Sequence, residues 1–527
     1  MAAAFAVYLS LVAVLEKAIE ARNGGVFTYS IDDTYIHLAV ASNLVHHHTW
    51  GVVAGHYESA SSSPMWTAVL ALATALPIAD LWLPMLLNIA AVGAVLVLLG
   101  RRLRHLEPVP RTFVLVCTVF AFGFVPATFV GMEHVMHAVF VLVLFGVLGR
   151  ALGDDPVRRR QAARLLPVLG FVGPLVRFES LFLAAGLAVA IVALGPNALA
   201  RRDRVLLAVR LVGGAAVSFV LFAAVNVGFG QSVLPNSVVA KSTLAGGAGI
   251  RGLVTPFLHL GETLDAVSHA FRDDPLILLS IVGCLAALLV PRSRSAVPAV
   301  LGLGLLLSIA AQLVYGRVGQ LDRYEVYIVV GAAAILFTAV EHVQLPTFRG
   351  APAAAPVLAV VLVLAALVRL PAQTLALDGA EEIHGQQQQM ALAAAEYLDG
   401  VGIALNDLGF VAWQHTGPIL DVVGLGSHDA LRAKGDQLML DADDIAALAQ
   451  HDDIRAAVLY ASPPVFVTGI PQEWIPIERW CIEPPLAVVS DKCVTWFAID
   501  PTLADQLTRD LAGFPLPPGT TRTALTP

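Results

Sequence analysis

Residues 81–105 read LWLPMLLNIAAVGAVLVLLGRRLRH, a long apolar run that ends in a cluster of arginines. A helix needs about 20 residues to cross the hydrocarbon of a bilayer, and residues 81–100 supply that length. Cytoplasmic loops carry an excess of Lys and Arg, so Arg101, Arg102 and Arg104 place this end of the segment inside. Working outward, further basic loops follow at 150–164 (RALGDDPVRRRQAAR), 201–204 (RRDR), 291–295 (PRSRS) and around Arg349. Two apolar runs separate each successive pair of basic loops. Each pair therefore encloses an out-and-back hairpin: 111–130 with 134–150, 163–177 with 179–195, 205–228 with 275–290, and 297–315 with 324–341. A last span at 353–371 leads outside. The amino-terminal MAAAFAVYLSLVAVLEKAIE lacks the cationic start and small-residue cleavage site of a signal peptide and reads as a first, uncleaved span. The run 64–76 is short, opens on Pro64 and is followed by Pro77 and Asp80, so it reads as an interfacial or re-entrant helix. About 11 spans result, with the amino terminus inside and the carboxy terminus outside.

The composition agrees. The chain has 527 residues, of which 57% are hydrophobic and 14% charged, which excludes an ordinary soluble domain. The apolar runs stop near 371, dividing a membrane part, 1–371, from a separate domain, 372–527. The separate domain holds 7 Lys and Arg against 21 Asp and Glu, a balance of −14. The membrane part holds 25 against 19, or +6, and together they give −8. With the separate domain so acidic, no nucleic-acid partner is expected.

This topology sends a set of polar residues to the outer face. The first outer loop, 20–63, contains Asp32 and Asp33. The turn GMEH (131–134) carries Glu133, and VRFES (176–180) carries Arg177 and Glu179. The second long outer loop, 229–274, begins GQSVLPNSVVAKS with Asn236 and Lys241, and YGRVGQLDRYEVY (315–327) carries Arg317, Asp322, Arg323, Tyr324 and Glu325. Charged groups near hydrocarbon face a cavity or pair with one another, so five hairpins with charges at one depth imply a polar cavity that opens outward. Each residue also has a plain structural reading. Ser30 and Asp33 fit a capping box, with both aspartates complementing the helix dipole. Arg177 with Glu179, and Arg323 with Glu325, fit ion pairs at span ends, and Glu133 fits a solvated turn. A carboxylate at a helix start can equally take a proton from a hydroxyl, while Arg and Lys suit a phosphate. The combination is a carboxylate base facing a basic phosphate site at a membrane rim, which suits a lipid phosphate.

The stretch DDTYIHLAVASNL…GVVAGHYESASSSPMWT resembles the first outer loop of the GT-C superfamily of membrane glycosyltransferases. The resemblance is carried by Asp32, Asp33, Tyr35, Ile36, Asn43, Leu44, Glu58, Ser63, Pro64, Trp66 and Thr67. GMEHVMHAVF is similar to a Gly-Leu-Glu-Thr turn of one branch through Gly131 and Glu133, and LVRFESLF to its Thr-Arg-Pro-Glu-Gly element through Arg177 and Glu179. LPNSVVAKS is similar to a Leu-Pro-Asn-Thr-x-x-x-Lys element through Leu234, Pro235, Asn236 and Lys241, and ALNDLGFVAWQHTGPILDVVGL to the opening of these enzymes' external domain. The branch includes terminal arabinofuranosyltransferases of mycobacterial cell walls. His134, Phe178 and Ser61 depart from its pattern, which bears on the substrate more than on the fold.

The resemblance implies a polytopic helical membrane protein with an extracytoplasmic α/β domain, in a bacterial plasma membrane and in cell-envelope synthesis. It implies transfer of a sugar from a polyprenyl-phosphate donor to a hydroxyl of a glycan or glycolipid acceptor, in one inverting displacement. Asp32 is then the base, with Asp33 orienting it or substituting for it. Lys241, Arg177 and Arg317 or Arg323 hold the donor phosphate. Glu133, Glu179 and Asn236 order the cavity or meet sugar hydroxyls, and Glu58, Tyr324 and Glu325 complete the binding set. No cofactor is required by the sequence. If a divalent cation (Mg or Mn) takes part, Asp32, Asp33 and the donor phosphate are its candidate partners. Two other classes remain, a transporter or flippase for a lipid-linked sugar and a non-catalytic envelope scaffold. Transporters usually show internal repeats and midplane sites, and neither is evident here.

Other features carry less. Three consecutive histidines, His46 to His48, diverge around a helix and cannot jointly face one metal. GQQQQM (385–390) reads as the polar start of a helix. Cys117 and Cys284 read as packing residues, whereas Cys481 and Cys493 are disulfide candidates in an oxidising exterior. The runs VGIALND, AAVLYA, LAVVS and TWFAID predict strands of a small sheet. Asp407 and Asp421 are turn residues or sugar contacts, and the tail GFPLPPGTTRTALTP is expected to be loosely ordered.

Overall fold

The structure is a computed structural model that describes residues 1–241, 256, 259–291, 294–340, 347–348, 351–352, 354–435, 439–462, 464–483 and 486–525. Arg349 and the middle of the second long loop lie outside the described residues, as does the Lys241 side chain.

A helix stands at every position expected for a span. Among the described residues, six are long and apolar enough to cross a membrane: Ala2–Arg22, Asp80–Arg102, His134–Ala151, Arg201–Gly228, Val297–Tyr315 and Val360–Tyr397. Pro108–Ala121 and Phe124–Val130, bent by 43°, add a seventh if they count as one. The expected count of 11 is not reached on this measure, and the reasons are local: Pro156–Val176 gives its first turns to Arg158, Arg159, Arg160 and Arg164, and three further helices lack length. Ser180–Leu194, Leu276–Leu288 and Val326–Val340 are apolar but short. Each begins directly after a polar turn, namely Arg177–Glu179, Asp274 or Arg317–Glu325, so the charged residues use up chain that a full span would need. The long helix Arg201–Gly228 buries Leu207, Leu211 and Ala215 while leaving Val209, Val217, Val220 and Leu221 more than half exposed. Such a continuous apolar stripe on a surface suits contact with lipid.

The first loop is packed hard against the helix ends. The helix Phe124–Val130 stops at Gly131, whose φ is +66°. A Cβ there would run into the side chains of Tyr29 and Thr34, so only glycine allows this approach. Thr34 Oγ1 donates to the Val130 carbonyl at 2.5 Å. The helix Asp33–His46 follows, but the expected capping box is absent. Ser30 Oγ donates instead to the Ala376 carbonyl at 2.7 Å, and Asp32, at the N-cap position, makes no cap hydrogen bond. The last long helix, Ala354–Gly385, runs through Pro371 and continues past the boundary read from hydropathy.

Beyond it lies a six-stranded mixed sheet in the order Ile419–Asp421, Gly402–Leu405, Ile454–Leu459, Cys493–Ala498, Ile475–Ile482, Thr520–Ala524. The first three strands are parallel and the rest antiparallel. Cys481 and Cys493 are a register pair and form a disulfide with S–S 2.10 Å. Two expectations are corrected. LAVVS is no strand, because the amides of Ala487, Val488 and Val489 turn to the Glu382 carboxylate instead of a ladder. The tail is not loose, because Thr520–Ala524 pairs with Ile475–Ile482 and Arg522 donates to the Leu511 carbonyl at 2.6 Å.

Candidate active site

Asp32 and Asp33 are adjacent yet meet different partners. Asp32 Oδ2 accepts from the Gly409 amide at 2.5 Å and Oδ1 from the Phe410 amide at 2.8 Å, so the sheet domain grips both oxygens. The rings behind them pack at a tilt, with Tyr35 centred 4.0 Å from Phe410 and 5.7 Å from Trp413. Burial and the neighbouring Asp407 carboxylate raise the Asp32 carboxyl well above the usual carboxylate range, against the opposing pull of the two amides. Asp33 Oδ2 instead accepts from Arg323 Nη2 at 2.8 Å, with its side chain 20% exposed.

Arg323 is itself buried, and its guanidinium also reaches Gln320, Met132 Sδ at 2.9 Å and Tyr324 Oη at 3.1 Å. The Tyr324 ring lies 4.9 Å from the Arg323 guanidinium carbon and 5.4 Å from that of Arg177, so one aromatic face links two cations. Arg177 then forks onto Glu179, at 2.5 and 3.0 Å, and reaches Glu133 Oε1 at 2.5 Å. His134 Nε2 stands 2.9 Å from the same Arg177 nitrogen. Ser62 Oγ donates to Glu133 at 3.2 Å, and His37 Nε2 lies 3.6 Å from its other oxygen. Asp33, Glu133, Arg177, Glu179, Arg323 and Tyr324 are therefore one connected set drawn from four turns. Arg177 matches two carboxylates and Arg323 matches Asp33, so the sequence pairing of Arg323 with Glu325 does not occur.

The remaining expected residues fall in two neighbouring clusters. Glu58 accepts from Asn236 Nδ2 at 2.9 Å and from the His428 amide at 3.4 Å, joining the first loop, the second long loop and the sheet domain. Its carboxyl is pushed up to about 7, chiefly by burial. Glu325 is fully buried and accepts from the Gly319 amide at 2.6 Å. It belongs with Arg369, which holds Asp274 at 2.8 Å and also pairs with Asp322. Arg317 is exposed at the end of Val297–Tyr315.

Sequence reasoning missed Arg369, although a lone arginine in VVLVLAALVRLP was a visible signal. It also missed His37 and the sheet-domain residues that reach Asp32, and it read His134 only as a departure from the branch pattern. The sheet-domain residues had no local signal, because only the fold brings position 409 to position 32. His46, His47 and His48 are exposed at a helix end. Among the described residues, no three His, Cys, Asp or Glu side chains are gathered so as to hold a metal ion, and Asp32 and Asp33 are too few to enclose one alone.

A family described as "Domain of unknown function (DUF8728)" matches residues 380–497, which cover most of the sheet domain. No protein of curated function matches the sequence. Among solved structures, the chain is similar to ArnT from Cupriavidus metallidurans bound to undecaprenyl phosphate. The TM-score is 0.54 at 12% identity, over 94% of this chain and 98% of that one. The same protein in its apo state gives 0.52 at 12% identity, over 95% and 99%. The oligosaccharyltransferase of Archaeoglobus fulgidus in the apo form aligns at 0.49 with 13% identity, over 90% and 73%. At such identities the likeness to ArnT is one of fold alone.

Proposed function

We propose that this protein transfers a sugar from a polyprenyl-phosphate carrier to an acceptor hydroxyl at the outer face of a bacterial plasma membrane. The observation that carries the reading is the half-buried Asp32–Asp33 pair joined to the buried Arg323, Tyr324 and Arg177 at one end of the helices, in a fold shared with a protein solved with undecaprenyl phosphate bound. Buried charges inside a helical membrane domain mark function by default.

Asp32 is the base. A general base works best when its pKa lies near the operating pH, and burial moves Asp32 in that direction. Its two amide partners fix the plane of the carboxylate. Asp33, committed to Arg323, orients the pair. The acceptor oxygen attacks the anomeric carbon on the face opposite the phosphate. The bond from that carbon to the phosphate oxygen breaks, and the electron pair leaves with the polyprenyl phosphate. The hydroxyl proton passes to Asp32 and then to water. Arg177 and Arg323 shape the cavity through Glu133, Glu179 and Asp33, and Lys241, Arg177 and Arg317 or Arg323 are the candidates for holding the leaving phosphate. A divalent cation, if bound, would supply charge neutralisation beside Asp33, and no step above requires it. Glu58 and Asn236 border the acceptor side.

The sheet domain lies outside the membrane in this reading, and the natural setting is cell-envelope polysaccharide or glycolipid synthesis. A polyprenyl-phosphate arabinofuranose is the first donor to try, given the sequence elements at 32–67 and 234–241. The test is transfer by purified protein in lipid nanodiscs from a panel of labelled polyprenyl-phosphate sugars to an envelope extract. Donor-dependent product is expected, and binding of none of the donors would overturn the reading.

A further inference from the structure

The parallel part of the sheet points its carboxyl ends toward the first loop. Asp407 and Tyr460 sit just beyond the strands Gly402–Leu405 and Ile454–Leu459, and Asp421 ends the neighbouring edge strand. In open α/β sheets this is the edge where ligands collect. Asp421 is spent locally, accepting from the amides of Val423 at 2.9 Å and Gly426 at 2.8 Å. Asp407 is held differently. Its Oδ2 accepts from Gln387 Nε2 at 2.6 Å and from Tyr460 Oη. Gln386 Oε1 stands 3.0 Å from Tyr460 Oη and accepts from Gln387 Nε2 at 2.9 Å. Gln386 and Gln387 are each 1% exposed, so the glutamine tract is a buried brace as well as a helix start.

Two residues after Asp407, the chain reaches the amides that grip Asp32. A side chain at Gly409 would strike the Asp32 main-chain carbonyl, so glycine is what lets the turn come so close. We propose that Asp407 is a positioning residue of the transfer centre: braced by Tyr460 and Gln387, it fixes the turn whose two amides orient the Asp32 carboxylate. The proposal rests on the reading of Asp32 as the base. It makes the sheet domain a structural part of the active site, not an appended module. A displacement of about 1 Å in a reacting group can cost about 100-fold in rate, so a loosened turn is felt in turnover. The charged and titratable groups facing Asp32 are Asp33, with Arg323 behind it, Tyr35 of its own helix, and Asp407 and Tyr460 of the sheet domain.

The test uses the full chain in nanodiscs as wild type, Tyr460→Phe and Asp407→Asn. Tyr460→Phe removes one hydroxyl and guards against misfolding of the Asp407 variant. Amide hydrogen exchange of the peptide spanning 406–414 is expected to rise about tenfold in both variants, with the strand Cys493–Ala498 unchanged. In transfer assays, kcat should fall about tenfold with the donor KM unchanged, and Asp407→Asn should move the acid limb of the pH–rate profile to lower pH by removing a negative neighbour of the base. Unchanged exchange overturns the proposal, and so does faster exchange with unaltered kcat. Absence of transfer by wild type would sink the functional reading by itself, and the exchange measurement would still decide whether Asp407 holds the turn.

Discussion

Replacing Arg177 with leucine should be among the most damaging single changes in the protein. Arg177 is 5% exposed and lies between Glu133, which is fully buried, and Glu179. Its removal leaves two carboxylates without their cation and takes away one of the two guanidinium groups at the Tyr324 ring. Breaking a buried pair by deleting one partner costs about 3–5 kcal/mol, because the charge left behind stays desolvated. With two carboxylates left behind, the upper end of that range applies to Arg177→Leu. The same reasoning predicts rescue. Arg177→Leu combined with Glu133→Gln removes one stranded charge and should regain about 2 kcal/mol, which is a coupling of the size expected within one network. The assay is reversible unfolding in mixed micelles as the fraction of denaturing detergent rises, run on wild type, both single variants and the double variant. A double variant as unstable as the sum of its singles would refute the view that Glu133 and Arg177 act as one unit. So would an Arg177→Leu protein as stable as wild type.

Other outcomes follow from single contacts. Glu58 has a folded-state pKa of about 7 against an ordinary 4.5, so its contribution is full below pH 4.5 and is lost as pH rises through 7. Wild type should therefore lose about 2–3 kcal/mol more than Glu58→Gln between pH 4.5 and pH 8, and parallel stability profiles would contradict this. Gly409→Ala must push the sheet domain off Asp32, with at least a tenfold loss of transfer, and wild-type activity in that variant would show that the close approach is dispensable. Replacing Cys481 and Cys493 with serine opens the closed loop between them and should cost about 3 kcal/mol, read as a lower unfolding midpoint that reducing agent reproduces in wild type.

The membrane part was legible because its signals are local. Apolar length and the arginines at 101–104, 150–164 and 201–204 place helices one by one, and each helix is where these signals predict. The count of crossings was less legible, because Ser180–Leu194 and Val326–Val340 give up length to the polar turns before them. The turns themselves were readable as a set, and Asp33, Glu133, Arg177, Glu179 and Arg323 do converge. Their pairing was not readable: adjacency in sequence suggested Arg323 with Glu325, while the fold gives Arg323 to Asp33 and leaves Glu325 beside the Gly319 amide. The capping box failed for a similar reason, because Ser30 found a carbonyl on a helix 346 residues away. Asp407 was readable only as a turn residue or sugar contact, and nothing in the sequence tied Asp407, Gly409 or Gln387 to Asp32. Their importance depends on a contact between two parts of the chain that share no local pattern.

The measurement that bears most directly on the account is transfer by Asp32→Asn and Asp33→Asn beside wild type, in nanodiscs, at matched thermal stability and with donor binding measured on each. Asn keeps the size of the side chain and removes the base. The account predicts that Asp32→Asn binds donor normally and transfers at less than about one-hundredth of the wild-type rate, while Asp33→Asn retains measurable turnover. Undiminished transfer by Asp32→Asn, in protein that binds donor and remains folded, would contradict it.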